Sequence, residues 1–394
     1  MWSRREFLVR SGAVCGSAIG LGSAAPQWWQ RVALAAEKAT SGRKLVVIEL
    51  RGGNDGLNTV VPFADDRYHK ARPTLGIKAE DAIKLDDHLG LHPEMTAWKP
   101  LWEDGKLAIV ENCGYPNPNR SHFESMDIWH AGQIGTAATS GWLGRAADRG
   151  EAGELCYVGD GAASLALSRR LGTVAALERL TDLRLDEGVP PLRLTSGPGE
   201  EDLALAIAKR MRDVRKLSDR LPQPQSEPDP TTVSTNEVLN ARLEIVRTLI
   251  ERDEPFRVYY TALPGFDTHA QQSGTHGRLW RQTATAVSEF LASLKKAKLD
   301  DDVTVFLFSE FGRRVHENGS AGTDHGAAAP VFVLGNRVAG GIQGGVPNLA
   351  DLDNGDLRHQ VDFRDVYAAL LGDWLGVDPS VVLDRDRSTL KLFA

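Results

Sequence analysis

Five short apolar runs, spread widely along the chain, limit most sharply the folds open to it. Lys44-Leu45-Val46-Val47-Ile48-Glu49-Leu50 is rich in β-branched residues and reads as a buried strand. Residues 107–110, 256–263, 303–308 and 331–334 read the same way. Helical patterns lie between them. Leu279, Thr283, Val287, Phe290, Leu291 and Leu294 mark one face of a helix over about 277–298. Further helices are expected over about 201–217, 236–251 and 362–375. Strands alternating with helices predict an α/β fold, a mostly parallel or mixed sheet sandwiched by helices. In such sheets ligands bind beyond the C-terminal ends of the strands. Residues 151–232, with a Pro-rich polar stretch at 221–232, fit the alternation worst and read as an insertion or cap within one domain over 36–394.

The first 35 residues have a different logic. Ser3-Arg4-Arg5-Glu6-Phe7-Leu8 is a paired-arginine box, followed by an apolar Gly- and Ala-rich stretch and by Ala33-Leu34-Ala35. That order predicts a twin-arginine export signal with cleavage after Ala35, hence a periplasmic or secreted protein that meets the twin-arginine translocase during export. This route carries folded proteins, many of which acquire a metal or cofactor before they leave. No second apolar run reaches about 18 residues, so no stable membrane span is expected after cleavage. The net charge of −7 and the lack of a Lys/Arg tract argue against a nucleic-acid partner. Cys113 and Cys156 either pair in an oxidising compartment or stay as buried thiols, and spacing alone does not choose.

The polar motifs fall at strand ends. Gly265-Phe266-Asp267-Thr268-His269 follows the third strand, with His276 seven residues on. Ser309-Glu310-Phe311-Gly312-Arg313-Arg314 follows the fourth, and Thr323-Asp324-His325-Gly326 precedes the fifth. Carboxylate and imidazole from several strand ends suit a divalent ion such as Zn²⁺ or Mn²⁺. The alternative is that these groups cap and brace loops. Ser121 opens a helical pattern through Phe123, Met126, Ile128, Trp129 and Ala131. A hydroxyl there lies at the positive end of a helix dipole, a seat for a nucleophile acting on an anionic substrate. Ser121 with Glu124 also reads as a capping box. His122, beside Ser121, reads as a supporting residue, while His88 and His92 line either the site entrance or a surface loop.

Five segments, in this order, resemble the alkaline phosphatase-like superfamily, which includes sulfatases. They are Glu49 to Asn58, Arg120-Ser121-His122-Phe123, Gly265 to His269, Ser309 to Arg313, and Asp324-His325-Gly326 with Pro330-Val331-Phe332-Val333. More narrowly, nearly the whole chain beyond the leader resembles the exported DUF1501 family. The superfamily resemblance implies Ser121 as nucleophile and Asp267, His269 and His325 as ligands of one metal. Glu310 would serve a second metal, but Phe311 stands where that site's histidine would be. Arg51 takes roughly the place of the expected acid after the first strand, with Asp55 nearby. One metal site is therefore more in keeping with the chain than two. Asp324, His276 and Asp55 are further candidate ligands.

A lost second ion removes charge stabilisation unless a cation replaces it. Arg51, Arg120 and Arg313 are the candidates, since guanidinium groups grip phosphate or sulfate oxygens bidentately. The resulting expectation is an exported metal-dependent hydrolase of a small anionic or envelope-associated phosphate or sulfate ester. The alternative is a non-catalytic relative that binds an envelope partner or glycan. No G-x-S-x-G elbow supports a metal-free serine hydrolase.

Overall fold

The main sheet is built from the expected apolar runs and four more strands. The structure, a computed structural model, describes residues 42–135, 138–150, 152–170, 172, 174–180, 238–383 and 390–394. The leader, the helix expected over 201–217 and the Pro-rich stretch lie outside the described residues. In chain order the sheet strands are β1 (Lys44–Arg51), β2 (Leu107–Gly114), β3 (Glu154–Val158), β4 (Ala175–Leu177), β5 (Phe256–Pro264), β6 (Val303–Phe308), β7 (Ala329–Gly335), β8 (Gly341–Gln343) and β9 (Val361–Asp362). Their spatial order is β8-β2-β7-β6-β1-β5-β3-β4, with β9 also pairing β2. Within the span expected to form an inserted cap, β3 and β4 instead extend one side of this sheet.

Only β7 runs against its neighbours, antiparallel to both β2 and β6. The other pairings are parallel. The geometry has one important result. Residues after β1, β2, β5 and β6 and residues before β7 all reach the same rim.

Helices cover both faces, as expected of a sheet whose central strands are apolar throughout. Here α1 (His122–Ala131), α2 (Trp142–Asp148) and α5 (Phe363–Ala369) share one core with Leu45, Val47, Val110, Val258, Phe306, Phe308 and Val331. Trp129 of α1 stacks on Phe308 and Phe363, with ring centroids 5.2 and 4.4 Å apart. Alternate strand residues face the other way, where Phe332 meets Trp280 of α4 (Gln272–Ala297) and Trp98. The amphipathic α3 (Val238–Glu251) packs on α4. The C-terminal helix expected over 362–375 divides into α5 and a π-helical stretch, Leu370–Leu375.

Cys113 lies in β2 and Cys156 in β3, both buried and free. Five strand spacings of about 4.8 Å put roughly 24 Å between those strands. A disulfide needs Cα atoms within about 7 Å, so the two thiols belong to the core.

Candidate functional site

Backbone turns set the rim. Gly52 has φ 119°, and a Cβ there would lie 2.3 Å from the backbone nitrogen of Asp267. Gly53 has φ 72°, and its Cβ would lie 2.3 Å from the Phe311 ring. The glycine pair after β1 therefore lets the Asp267 and Phe311 loops close over it. Arg313, which opens the hairpin formed by Arg313–Glu317 and Thr323–His325, laces these loops together. Its Nε donates to the Gly53 carbonyl at 2.6 Å and its Nη1 to the Thr323 carbonyl at 2.7 Å. Its Nη2 donates to the Gly52 carbonyl, to the Phe266 carbonyl at 3.2 Å and to Asp267 Oδ1 at 2.6 Å. This guanidinium is a buried tie with its donors spent, which corrects the expectation that it grips a substrate oxyanion.

Three imidazoles meet at Asp267, and their partners fix which nitrogen faces inward. His325 Nδ1 lies 2.9 Å from the Arg120 carbonyl. A carbonyl only accepts, so Nδ1 carries the proton and Nε2 presents a lone pair. His269 Nδ1 lies 3.3 Å from Asp324 Oδ1. His122 Nδ1 lies 2.7 Å from Glu310 Oε1. Asp267 Oδ1 lies 3.0 Å from His269 Nε2, 3.3 Å from His325 Nε2 and 3.6 Å from His122 Nε2. His269 Nε2 and His325 Nε2 are 2.9 Å apart. Lone pairs facing one another at such distances repel; Arg313 Nη1, 3.4 Å from His269 Nε2, relieves part of this, and a cation at their centre would turn the rest into attraction. Ligands at about 2.1 Å from a common centre, placed at tetrahedral corners, lie roughly 3.4 Å apart. The four separations bracket that value, so the residues present fit a divalent ion. Ligand atoms of His122, Asp267 and His325 all lie within 4.8 Å of one another.

Electrostatics agree with the geometry. Burial works against the charge of Asp267, but Arg313 outweighs it and holds the carboxyl below the ordinary carboxylate range. Burial lowers the pKa of His325, against the pull of its bond to the Arg120 carbonyl. The hydrogen bond to Glu310 raises that of His122.

Other expected residues take different places. Glu310 is buried and accepts from Gly52 N at 2.9 Å and Ser309 Oγ at 2.9 Å as well as holding His122. It therefore holds the His122 ring, and its own oxygens are taken up by protein partners. Phe311 packs its ring 4.9 Å from the rings of both His122 and His325, so apolar surface fills that side. Asp324 aims His269 and accepts from Asn318 at 3.1 Å. Asp55 is fully buried and paired with Arg72, whose Nη2 donates to Oδ1 at 2.8 Å, while Gln272 also donates to it. That carboxylate is consumed and is not available as a ligand. His276 is buried against Asn54 at 3.1 Å, and burial pushes its pKa down to about 3. Its ring is a neutral core group outside the cluster. His92 accepts from Glu94 N and packs on His276, and His88 lies on a separate surface loop lined with Asp66, Arg67 and Lys70.

Ser121 is the N-cap residue of α1, with φ −82° and ψ 125°, and its hydroxyl does not cap the helix. Glu124 accepts from Asn119 in place of the expected capping box. The serine stands between Arg120, whose carbonyl fixes His325, and His122. The Arg120 side chain is bound to Asp356, with Nε at 2.8 Å from Oδ2, and so is committed to a protein partner. Arg51 differs. Its Nε donates to Glu49 Oε1 at 2.6 Å, and its side chain is 43 % exposed. Its Nη groups bond no partner among the described residues. Glu49 is itself anchored by His130 at 3.1 Å and by Tyr260 at 2.5 Å. Burial opposes its charge, yet His130 and Arg51 hold its carboxyl at about 2.

Sequence reasoning missed His122 as a member of the cluster. It is 145 positions from Asp267, and only the tertiary fold joins them. Its adjacency to Ser121 was the one available signal.

Fold and site together define an α/β protein with a mixed, mostly parallel sheet and an acid–imidazole cluster on the rim where its parallel strands end. The family described as "Protein of unknown function (DUF1501)" matches residues 42–385, and the chain belongs to it. No curated protein matches. Several solved structures are similar at low identity. A protein in the alkaline phosphatase superfamily from Vibrio parahaemolyticus has 10% identity and a TM-score of 0.42, over 92% of this chain and 79% of that one. The PsFucS1 sulfatase from Pseudoalteromonas sp. has 11% identity and a TM-score of 0.41, over 94% and 76%. The lipoteichoic acid synthase LtaP from Listeria monocytogenes has 10% identity and a TM-score of 0.40, over 90% and 77%. Among the described residues, no helix is long and apolar enough to cross a membrane.

Proposed function

We propose that this chain is an exported, metal-dependent hydrolase of phosphate or sulfate esters, with Ser121 as its nucleophile. One observation carries the reading: imidazole nitrogens of separate loops converge on Asp267 beside a serine whose hydroxyl is not used as a cap. A divalent ion of the Zn²⁺ or Mn²⁺ type, held by Asp267, His269 and His325, would supply the charge that polarises ester oxygens. The chain's own residues do the rest. The first turn of the ten-residue α1 offers unpaired N–H groups to an anion lying against Ser121. Arg51, aimed by Glu49, is the arginine left to grip an oxyanion bidentately. Arg313 neutralises Asp267 from below and keeps the loops in register. Phe311 supports a single ion, since it offers no ligand where a second would need one.

The test is direct. Protein purified without chelator should carry about one equivalent of Zn or Mn, and H325A should lose it. Turnover of aryl phosphates, sulfates or phosphonates should vanish in S121A while the metal content stays. An S121A variant as fast as wild type would rule out the nucleophile.

A second reading is a non-catalytic protein that binds an envelope partner or glycan. The commitment of Arg120 to Asp356 and of Arg313 to carbonyls favours it, because a catalytic site needs cations whose donors are free for the substrate. Metal binding without turnover of any ester in the panel would select this reading. The export step rests on the twin-arginine leader.

A further inference from the structure

We infer that His122 is a fourth ligand of the ion at Asp267, and that Glu310 is the positioning residue that aims it. The inference rests on the metal reading above and adds to it a ligand role that the superfamily resemblance does not imply. The first observation is a nitrogen without a partner. His122 Nε2 is shielded from solvent and bonds no group among the described residues. Buried polar atoms are almost always satisfied, so an unsatisfied one marks a place where something binds. The second is its direction. Nε2 lies 3.6 Å from Asp267 Oδ1, and the His122 ring meets the His325 ring edge-on with centroids 4.3 Å apart. It faces the point to which the other nitrogens turn.

The third observation is how firmly the ring is held. Glu310 Oε1 takes His122 Nδ1 at 2.7 Å, and the carboxylate is pinned in turn by Gly52 N and Ser309 Oγ, both at 2.9 Å. Ser125 of α1 donates to the Glu310 carbonyl at 2.5 Å, which ties the helix to the same loop. A carboxylate behind an imidazole, fixing its tautomer and raising its basicity, is what metal-bound histidines use. Phe311 walls the remaining side. His269 and His325 have the same construction, each with an acceptor behind Nδ1.

Two consequences follow. Ser121 is covalently adjacent to a ligand, so metal occupancy fixes the nucleophile's backbone. In addition, four side chains fill a tetrahedral zinc shell, so an ester oxygen would reach the ion as a fifth ligand or by displacing His122. His122 is then the residue that sets how open the centre is.

Cobalt titration of the full-length protein, read by visible absorption, tests this, with zinc competition for affinity. Wild type should show the intense bands of four-coordinate Co²⁺. H122Q should bind about 100-fold more weakly or worse, with the bands weakened as water enters. E310Q should lose roughly 10–100-fold in affinity while keeping a four-coordinate spectrum, as a positioning residue does. H325Q is the reference for a lost core ligand. Wild-type affinity and bands in H122Q, with binding lost in H325Q, would overturn the His122 assignment and leave the metal centre standing. No cobalt or zinc binding by wild type would overturn both.

Discussion

Glu111 gives the sharpest quantitative prediction. It lies in β2, nearly solvent-free, and its Oε1 bonds no described group. Burial pushes its pKa up to about 8, with the Asn112 amide opposing. In the unfolded chain the same carboxyl titrates near its ordinary value of about 4.5. Between those values the folded protein holds a proton that the unfolded chain has released. Stability from this group is therefore fully present below pH 4.5 and is lost as pH rises, at about 1.4 kcal/mol per unit. The loss ends near pH 8, where the folded carboxyl ionises too, and it totals roughly 5 kcal/mol. Glu111→Gln removes the titration while keeping size and shape. Urea denaturation followed by tryptophan fluorescence, with chelator present so that metal linkage cancels, gives the difference between variant and wild type at each pH. That difference should move in favour of the variant by about 3 kcal/mol between pH 5 and 7. Any constant packing cost shifts the whole line and leaves its slope. A difference that stays flat across that range would show that Glu111 reaches solvent or a partner in the folded protein, and the reasoning fails.

Two further expectations concern the rim. Gly52→Ala should push the Asp267 backbone aside, because the added carbon has 2.3 Å of room and the backbone conformation is left-handed. Weaker metal binding in calorimetry with the secondary structure retained is the expected result, and wild-type affinity would show that the loop yields freely. Asp55→Ala should cost about 3–5 kcal/mol in chemical denaturation, since it strands the buried Arg72 guanidinium. Folded Asp55→Ala protein should still bind one equivalent of metal, and loss of the ion would return Asp55 to the ligand set.

Much of the fold was legible because strands buried on both faces must be apolar throughout. The runs around Val46, Val258 and Val305 could be little else. The antiparallel course of β7 was not legible, since a buried strand reads alike in either direction. At the site, the acid and histidine clusters stood out because each lies next to a strand end, and the superfamily resemblance singled out Asp267, His269 and His325 among them. Asp55, a further candidate near the end of the first strand, is not among them, and nothing local announces that Arg72 claims it. The apolar pattern of α1 also misled. Phe123 is 86 % exposed, while Ser125, Trp129 and His130 turn inward. That helix is anchored by one large indole and by polar ties, which a count of apolar positions does not see.

The reversed course of β7 carries a consequence for timing. Because this strand enters the sheet from the far side, His325 arrives beside residues held by α1 and by the turn after β5 only when the last central strand has docked. A nascent or half-folded chain has no assembled acid–imidazole cluster. An ion held by this cluster would therefore bind only after β7 has docked.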